Sequence, residues 1–190
     1  MCKRCEWGTK NELMIQYHDT EWGVPLHDDE KLFEFLVLEG FQAGLSWQIV
    51  LNKREAFRKA FDNFNPDIIA NYNQDKIDEL LQDSSIIRNK LKINGCVNNA
   101  KCFLDVQKEF GSFDKYIWGF VNNKPIVNRL KTIRDMPTTT PLSDEISKDL
   151  KKRGFKFVGS TVIYSHLQAT GVINDHLITC YRYKEILDLF

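Results

Sequence analysis

Two residues that bind transition metals lie four positions apart near the end of the chain, His176 and Cys180. On a helix, residues i and i+4 share one face, so these two side chains could point at a single ion. A tetrahedral zinc needs two more ligands, and Cys5 and His18 near the start of the chain are of the right kind, with Cys2 as an alternative to Cys5. Four protein ligands leave no open coordination position. The pattern therefore predicts a structural zinc that joins the two ends of the chain.

A carboxylate, Glu39, lies in the otherwise apolar stretch of residues 35–41. A helix that is apolar on nearly all sides is buried, and a buried carboxylate needs a partner. That partner is either a lysine or arginine of the core or a ligand that donates hydrogen bonds. Aromatic residues lie before and after it in the sequence: Trp7, Tyr17, Trp22 and Trp47. They are either core packing or, with Glu39, the walls of a slot for a flat heterocycle.

Residues 150–171 have the pattern of a helix, a tight glycine turn and a second helix. Glycines let the backbone approach a phosphate closely, and the start of the following helix offers free N–H groups. The pattern predicts either a helix-hairpin-helix that binds the DNA backbone or an ordinary corner between two helices with a solvated basic face, and the sequence alone supports the two equally. The candidate DNA-binding residues are Lys152, Arg153, Gly154, Lys156, Gly159 and Ser160.

The composition is that of an ordinary globular protein: of 190 residues, 43% are hydrophobic and 27% are charged. Basic and acidic residues balance at 26 each, so any DNA binding depends on a local basic patch and not on net charge. No apolar run approaches the ~20 residues of a membrane span, and the first residues lack an apolar signal core. We therefore expect one cytoplasmic domain whose five cysteines are thiols or metal ligands and not disulfides.

Helical patterns dominate the sequence and alternating strand patterns are short, so we predict an all-α fold. Capping residues are expected at several helix starts: Asp28 or Asp29, Ser46, Asn65 before Pro66, and Ser143. Gly111 and Gly154 are expected to end two helices. The predicted helices cover residues 30–44, 46–61, 65–72, 87–111, 112–121, 144–154, 159–171 and 174–190.

Five sequence motifs occur together and in order: CEW at residues 5–7, YHDTEWGVP at 17–25, LFEFLVLEGFQAGLSW at 32–47, KKRGFKFVGST at 151–161 and NDHLITC at 174–180. With these motifs the chain resembles the 3-methyladenine DNA glycosylase I family over nearly its whole length. The resemblance implies a helix-hairpin-helix glycosylase-like fold in a single domain, residues 1–190. It puts the hairpin at about residues 143–171 and the zinc-binding ends at about 2–22 and 173–183.

The resemblance also implies an activity in DNA repair, the excision of N3-methyladenine from alkylated double-stranded DNA. Hydrolysis of the N-glycosidic bond leaves an abasic site and free 3-methyladenine. The implied ligands of one structural zinc are Cys5, His18, His176 and Cys180. The implied pocket for the flipped base consists of Trp7, Tyr17, Trp22 and Trp47, with Glu39 as the catalytic residue that hydrogen-bonds the adenine edge.

Departures from the family pattern refine this expectation. Met14 stands where a further aromatic residue is expected, so one wall of the pocket is softer. Asn174 occupies the position of a catalytic aspartate in many relatives. Ser160 and Thr161 stand where bifunctional relatives carry a lysine, so we expect a monofunctional enzyme without lyase chemistry. Neither a membrane nor an obligate protein partner is expected; the rival interpretations are a zinc-stabilised DNA-binding protein and a zinc hydrolase.

Overall fold

The computed structural model describes residues 3–189, and within this range it is mostly helical. The α-helices are α1 (Glu12–Thr20), α2 (Asp29–Gln42), α3 (Trp47–Ala60), α4 (Pro66–Ile69), α5 (Gln74–Gln82), α6 (Lys90–Phe110), α7 (Phe113–Gly119), α8 (Pro141–Lys152), α9 (Ser160–Ala169) and α10 (Tyr181–Leu187). Two short strands, β1 (Ile126–Val127) and β2 (Ile173–Asn174), pair in parallel. Turns of 3-10 helix cover Glu6–Thr9, Asp62–Phe64 and Ile133–Asp135. The predominance of helix confirms the sequence prediction, and the strand pair adds to it.

Helix α2 lies at the centre of the molecule. The carboxylate of Asp28 caps its start by accepting a hydrogen bond from the backbone N–H of Lys31 at 2.9 Å. Residues 32–41 are all buried, and the helix packs against α3, α6, α7 and α9. The prediction that this apolar helix is buried is confirmed. Close packing on all sides holds Glu39, one of these buried residues, in a fixed position.

Several predicted helix ends agree with the structure. Helix α3 begins directly after Ser46, and the side chain of Asn65 caps α4 ahead of Pro66. Helix α6 ends at Gly111, whose φ of +88° lies in the left-handed region that favours glycine. Among residues 3–189, none of the helices combines the length and the apolar character that a membrane span requires.

Three predicted helix starts are wrong. Helix α6, expected from residue 87, begins at Lys90, because the side chain of Asn89 caps it by accepting from the N–H of Lys92 at 3.1 Å. Helix α8 is capped by Thr140 and not by Ser143: each hydroxyl accepts a hydrogen bond from the other residue's backbone N–H, at 3.1 and 2.8 Å. Pro141 fits the first helical position, so the helix begins before Ser143. The helix expected over residues 174–190 begins only at Tyr181, because β2 and the irregular segment after it occupy the preceding residues.

Candidate active site and metal centre

Four buried residues from the two ends of the chain meet at one point: Cys5, His18, His176 and Cys180. Their ligand atoms all lie within 4.8 Å of one another. Sγ of Cys180 is 3.5 Å from Nε2 of His18, and Sγ of Cys5 is 3.7 Å from Nδ1 of His176. Ligands bound tetrahedrally to zinc at about 2.0–2.3 Å lie about 3.4–3.8 Å apart. The donor atoms and their spacing therefore fit a zinc ion.

Hydrogen bonds on the outer side of the two histidines orient their rings. Nδ1 of His18 is 2.8 Å from a carboxylate oxygen of Asp19, and Nε2 of His176 is 2.9 Å from the backbone carbonyl of Trp22. Both partners are acceptors, so these ring nitrogens carry the protons and donate them. Nε2 of His18 and Nδ1 of His176 are then left with lone pairs that face the two sulfurs. Asp19 itself accepts a hydrogen bond from Arg4 at 2.8 Å.

The prediction that His176 and Cys180 share a helical face is wrong, although the two residues do converge. Cys180 is the residue before α10, with extended backbone angles of φ −78° and ψ 136°. His176 lies in the irregular segment that follows β2. The backbone N–H of Ile178 donates to the carbonyl of Leu130 at 2.9 Å, which anchors this segment. A bent loop therefore brings the pair together; Cys2, the alternative ligand, lies outside the described residues.

A cavity of about 430 Å³ lies beside this cluster of cysteines and histidines. All five predicted pocket residues line it: Trp7, Tyr17, Trp22, Glu39 and Trp47. The ring centres of Trp7 and Trp22 are 4.8 Å apart, and those of Tyr17 and Trp47 are 5.2 Å apart. These separations are those of packed aromatic pairs, so the rings form continuous walls.

Two of the aromatic walls pack against the histidines of the cluster. The ring of Trp7 packs edge-on against His18, with centres 5.3 Å apart, and the ring of Trp22 packs edge-on against His176 at 4.6 Å. Trp22 also supplies the carbonyl that orients His176. Whatever fixes the two histidines therefore also fixes two walls of the cavity.

Glu39 is 4% exposed, and its Oε2 atom is buried without a hydrogen-bond partner. Burial raises the pKa of this carboxyl group to about 8. Nε1 of Trp47 is also buried without a partner. Buried polar atoms are nearly always hydrogen-bonded, so these two atoms are groups that a ligand in the cavity could satisfy. Burial, and then the proximity of Glu39, raise the pKa of Tyr17, which keeps its hydroxyl neutral.

The alternative partner for Glu39, a cation of the core, is not found among residues 3–189. Arg54, which is buried, donates to Glu34 at 2.6 Å and to Glu21 at 2.7 Å. Lys92 donates to the backbone carbonyls of Phe41 and Ala43 at 2.9 and 2.6 Å, at the end of α2. Both buried cations therefore have other acceptors, which leaves the carboxylate of Glu39 for a ligand.

The connection between α8 and α9 is held rigidly against α6. The side chain of Asn99 accepts from the backbone N–H of Lys156 at 2.7 Å and donates to its carbonyl at 2.9 Å. Asn98 donates to the carbonyl of Gly154 at 2.9 Å. Phe157, at φ +56°, packs over Gly95, where an added Cβ would lie 2.8 Å from its ring. The loop is therefore preorganised, as a site that binds a backbone requires.

The predicted DNA-binding residues differ in whether they are free to contact a phosphate or are bonded to other residues of the protein. Lys152 and Lys156 are exposed, and a Cβ added at Gly159 meets no atom within 4 Å. The start of α9 has no side-chain cap on its first N–H groups, because its cap residue is Gly159, while the hydroxyl of Ser160 bonds that of Ser143 at 2.8 Å. Arg153 is held by Glu109 at 2.6 Å and by Asp149 at 2.6 Å. Its guanidinium is thus committed to partners within the protein.

Sequence reasoning missed several residues that line the cavity. They are Lys10, Gln42, Ser46, Gln48, Met136, Ser165 and Gln168. Gln168 carried a signal, because a glutamine among the apolar residues near the end of α9 is as unusual as Glu39 in α2. Met14, which stands where the family resemblance led us to expect a further aromatic residue, also lines the cavity. Asn174 does not; it is fully buried, and its Oδ1 accepts from the N–H of His176 at 3.2 Å.

A family model described as methyladenine glycosylase matches residues 7–183, and the chain belongs to this family of glycosylases. It is 46% identical over 181 residues to DNA-3-methyladenine glycosylase 1 of Escherichia coli strain K12, which covers 95% of this chain and 97% of that protein. The family inferred from the five motifs is therefore confirmed.

Solved structures agree with this assignment. A crystal structure of 3-methyladenine DNA glycosylase I superimposes with a TM-score of 0.91 at 46% identity, covering 94% of this chain and 98% of that one. The Staphylococcus aureus 3-methyladenine DNA glycosylase I has a TM-score of 0.91 at 38% identity, over 94% and 95% of the two chains. That structure is described as the structural basis of 3-methyladenine recognition.

Proposed function

We propose that this protein excises N3-methyladenine from alkylated double-stranded DNA by hydrolysing the N-glycosidic bond. The products are an abasic site and free 3-methyladenine. The observation that carries the proposal is the cavity, in which Oε2 of Glu39 and Nε1 of Trp47 are buried without partners between aromatic rings. The names of the relatives from E. coli and S. aureus support the same base as ligand.

The chemistry of the lesion explains why such a cavity suffices. N3-alkylation gives adenine a positive charge while it is still bonded to the sugar. When the C1′–N9 bond breaks, its electron pair moves to the base and cancels that charge, so the base leaves readily. Water adds to the sugar carbon and loses a proton. Each well-placed aromatic ring stabilises the cationic base by roughly 0.5–2 kcal/mol, a contribution that neutral adenine does not receive.

Glu39 supplies the negative charge in this mechanism. In the free protein its pKa of about 8 keeps the carboxyl group protonated at neutral pH. A cationic base beside it lowers that pKa, because an opposite charge favours the carboxylate. The ionised side chain then accepts a hydrogen bond from the exocyclic amine of the base. Glu39 thus favours the charged lesion over the neutral base.

The metal in this proposal is a single structural zinc held by Cys5, His18, His176 and Cys180. The buried cluster supports it, since its ligand atoms all lie within 4.8 Å of one another and three of the sulfur–nitrogen distances are 3.5–3.7 Å. Bound zinc would crosslink the first and last segments of the chain, and four protein ligands leave it no position for water. It would therefore stabilise the cavity walls and take no part in hydrolysis.

The DNA-binding element in this proposal is the connection from α8 to α9. The uncapped N–H groups at the start of α9 and the exposed side chains of Lys152 and Lys156 would bind phosphates of the backbone. Ser165 and Gln168, further along α9, line the cavity. One helix would thus connect the backbone contact to the base pocket.

Replacing Gly159 with valine is expected to weaken binding to abasic-site DNA by about tenfold. No protein atom lies within 4 Å of the added Cβ, so the branched side chain projects to where a phosphate would approach. Binding of free 3-methyladenine is expected to stay unchanged, because the cavity is not touched. Fluorescence anisotropy with a labelled abasic duplex, at two salt concentrations, measures the effect.

Gly119 provides the matched control, since a Cβ there also meets nothing within 4 Å. Gly119→Val lies at the end of α7 and is expected to leave DNA affinity unchanged. Equal affinities for the wild type and Gly159→Val would remove the α8–α9 connection from the DNA-binding surface. Wild-type affinity should also fall with salt, at the modest slope of a few phosphate contacts.

We also propose that the protein is monofunctional, because Ser160 and Thr161 stand where a lysine nucleophile would be needed for lyase chemistry. An end-labelled duplex with N3-methyladenine tests this point and the function together. Free base should appear while the labelled strand stays intact until it is heated in alkali. Strand cleavage by the protein alone contradicts the monofunctional proposal, and the absence of released base contradicts the function.

A further inference from the structure

A buried carboxylate directly after β2, that of Asp175, accepts hydrogen bonds from three neutral donors. Asp175 is fully buried, and its Oδ1 accepts from the amide of Asn128 at 2.7 Å. Its Oδ2 accepts from the amide of Gln168 at 2.7 Å and from the hydroxyl of Tyr164. Asp175 itself does not line the cavity described above, but Gln168 does.

This arrangement fixes the direction of the Gln168 amide. A carboxylate only accepts, so Nε2 must face Asp175 and Oε1 must face the other way. No residue of the described chain donates a hydrogen bond to Oε1. Gln168 is only 7% exposed, and it borders the cavity. A carbonyl oxygen of fixed orientation, free to accept, is therefore offered to whatever occupies that cavity.

We infer that Gln168 is a specificity-determining residue that accepts a hydrogen bond from the exocyclic amine of the bound base; this inference rests on the proposed function. In N3-methyladenine the exocyclic amine carries the only N–H groups. It has two hydrogens, and two residues that line the cavity have an acceptor with no hydrogen bond from the described part of the chain: Glu39 through its buried Oε2, and Gln168 through Oε1. Each acceptor takes one hydrogen, and Asp175 prevents the glutamine from turning its amide N–H inward.

The same geometry rejects purines that carry an oxygen at position 6. Such a base presents an acceptor to the carbonyl oxygen of Gln168, which Asp175 keeps from turning its amide to donate, so these two oxygens stay unpaired and repel each other. Without the hydrogen bond to Asp175, the amide of Gln168 could turn so that its N–H donates to the oxygen at position 6, and the site would then accept a 6-oxo base. Because Asp175 holds it, Gln168 selects for a 6-amino base and against a 6-oxo base.

The test compares two free bases of equal shape, 3-methyladenine and 3-methylhypoxanthine, by calorimetric titration. Gln168→Met keeps the length of the side chain and removes both polar atoms. We expect the ratio of the two affinities to fall by about tenfold, the value of one hydrogen bond in a desolvated site. A purely structural role of Gln168 would weaken both bases together and leave the ratio unchanged.

Asn128→Leu is the matched control, because it removes another donor from Asp175 but does not line the cavity. It is expected to lower the melting temperature and to keep the wild-type ratio. If Gln168→Met does not fold, Asp175→Asn takes its place. An amide at position 175 can also donate, so Gln168 is free to turn, and the ratio is expected to fall with the glutamine still present.

The outcomes separate this inference from the proposed function. A folded Gln168→Met or Asp175→Asn variant with the wild-type ratio overturns the role of Gln168 and leaves the proposed function intact. A folded wild type that binds neither base contradicts the proposed function itself. A reduced ratio in either variant, with a wild-type ratio in Asn128→Leu, supports the inference.

Discussion

Glu39→Gln is expected to lower the rate of 3-methyladenine excision by about ten- to a hundredfold and to weaken binding of the free base. The change keeps the shape of the side chain and removes its negative charge. A charge-assisted hydrogen bond is worth about 1.5–3 kcal/mol, which corresponds to this loss. Single-turnover excision and calorimetric titration with 3-methyladenine measure the two effects.

The same substitution is expected to make the protein more stable than the wild type at high pH, by an amount that grows as pH rises. The pKa of Glu39 is raised from its ordinary value of 4.5 to about 8 by burial. The unfolded chain therefore loses this proton at a lower pH than the folded chain does, so wild-type stability falls between about pH 4.5 and pH 8. Glutamine does not titrate. The melting temperature of the variant, relative to wild type, should thus be higher at pH 8 than at pH 5.

Glu34→Gln is the matched control, because Glu34 is buried in the same helix but bonds Arg54 at 2.6 Å and Arg58 at 3.0 Å. Removing its charge leaves a buried arginine poorly paired, so this variant should lose stability and keep its affinity for the base. A Glu39→Gln protein that melts early yet binds 3-methyladenine normally would remove Glu39 from the active site.

Loss of one ligand from the metal centre is expected to have the largest effect on stability. Cys180→Ser should lose its zinc and melt about 10 °C lower than wild type. A structural zinc contributes directly to folding, and a loss of ~4 kcal/mol shifts the melting temperature of a chain of this size by roughly that amount. Native mass spectrometry should find one zinc in the wild type and none in the variant.

Cys180→Ser is expected to lower the excision rate less than it lowers the melting temperature. At a temperature where Cys180→Ser is still folded, excision per folded molecule should fall less than in Glu39→Gln. Cys102→Ser is the control, since this half-buried cysteine lies outside the cluster, and it should keep both zinc and melting temperature. A metal-free wild type with an undiminished melting temperature would refute the structural role.

The sequence predicts well those features that depend on local patterns. A run of apolar residues around Glu39 identified a buried helix, because burial on all sides leaves that composition. Asn65 and Gly111 marked helix ends, because capping and left-handed backbone depend on residue type alone. The prediction that Ser143 caps α8 was wrong, because the capping box contains two hydroxyl residues, Thr140 and Ser143. Only Pro141, which fits the first helical position, shows that Thr140 is the cap.

The cluster of cysteines and histidines is a feature whose geometry local sequence patterns do not predict. His176 and Cys180 were paired by helical spacing, yet a loop after a short strand brings them together. That strand pairs with residues 126–127, nearly fifty positions earlier, and this contact has no local signature. The hydrogen bond by which Asp175 fixes the amide of Gln168 depends on tertiary structure in the same way. Ligand types could be named from the sequence, and their geometry could not.

The central claim is tested most directly by the release of base from methylated DNA. Duplex DNA treated with a methylating agent is incubated with the wild-type protein, and the free purines are separated by chromatography. The account predicts that 3-methyladenine is released much faster than from the same DNA without protein, while adenine and guanine stay in the duplex. Release at the protein-free rate, by a folded protein that binds the DNA, would contradict it.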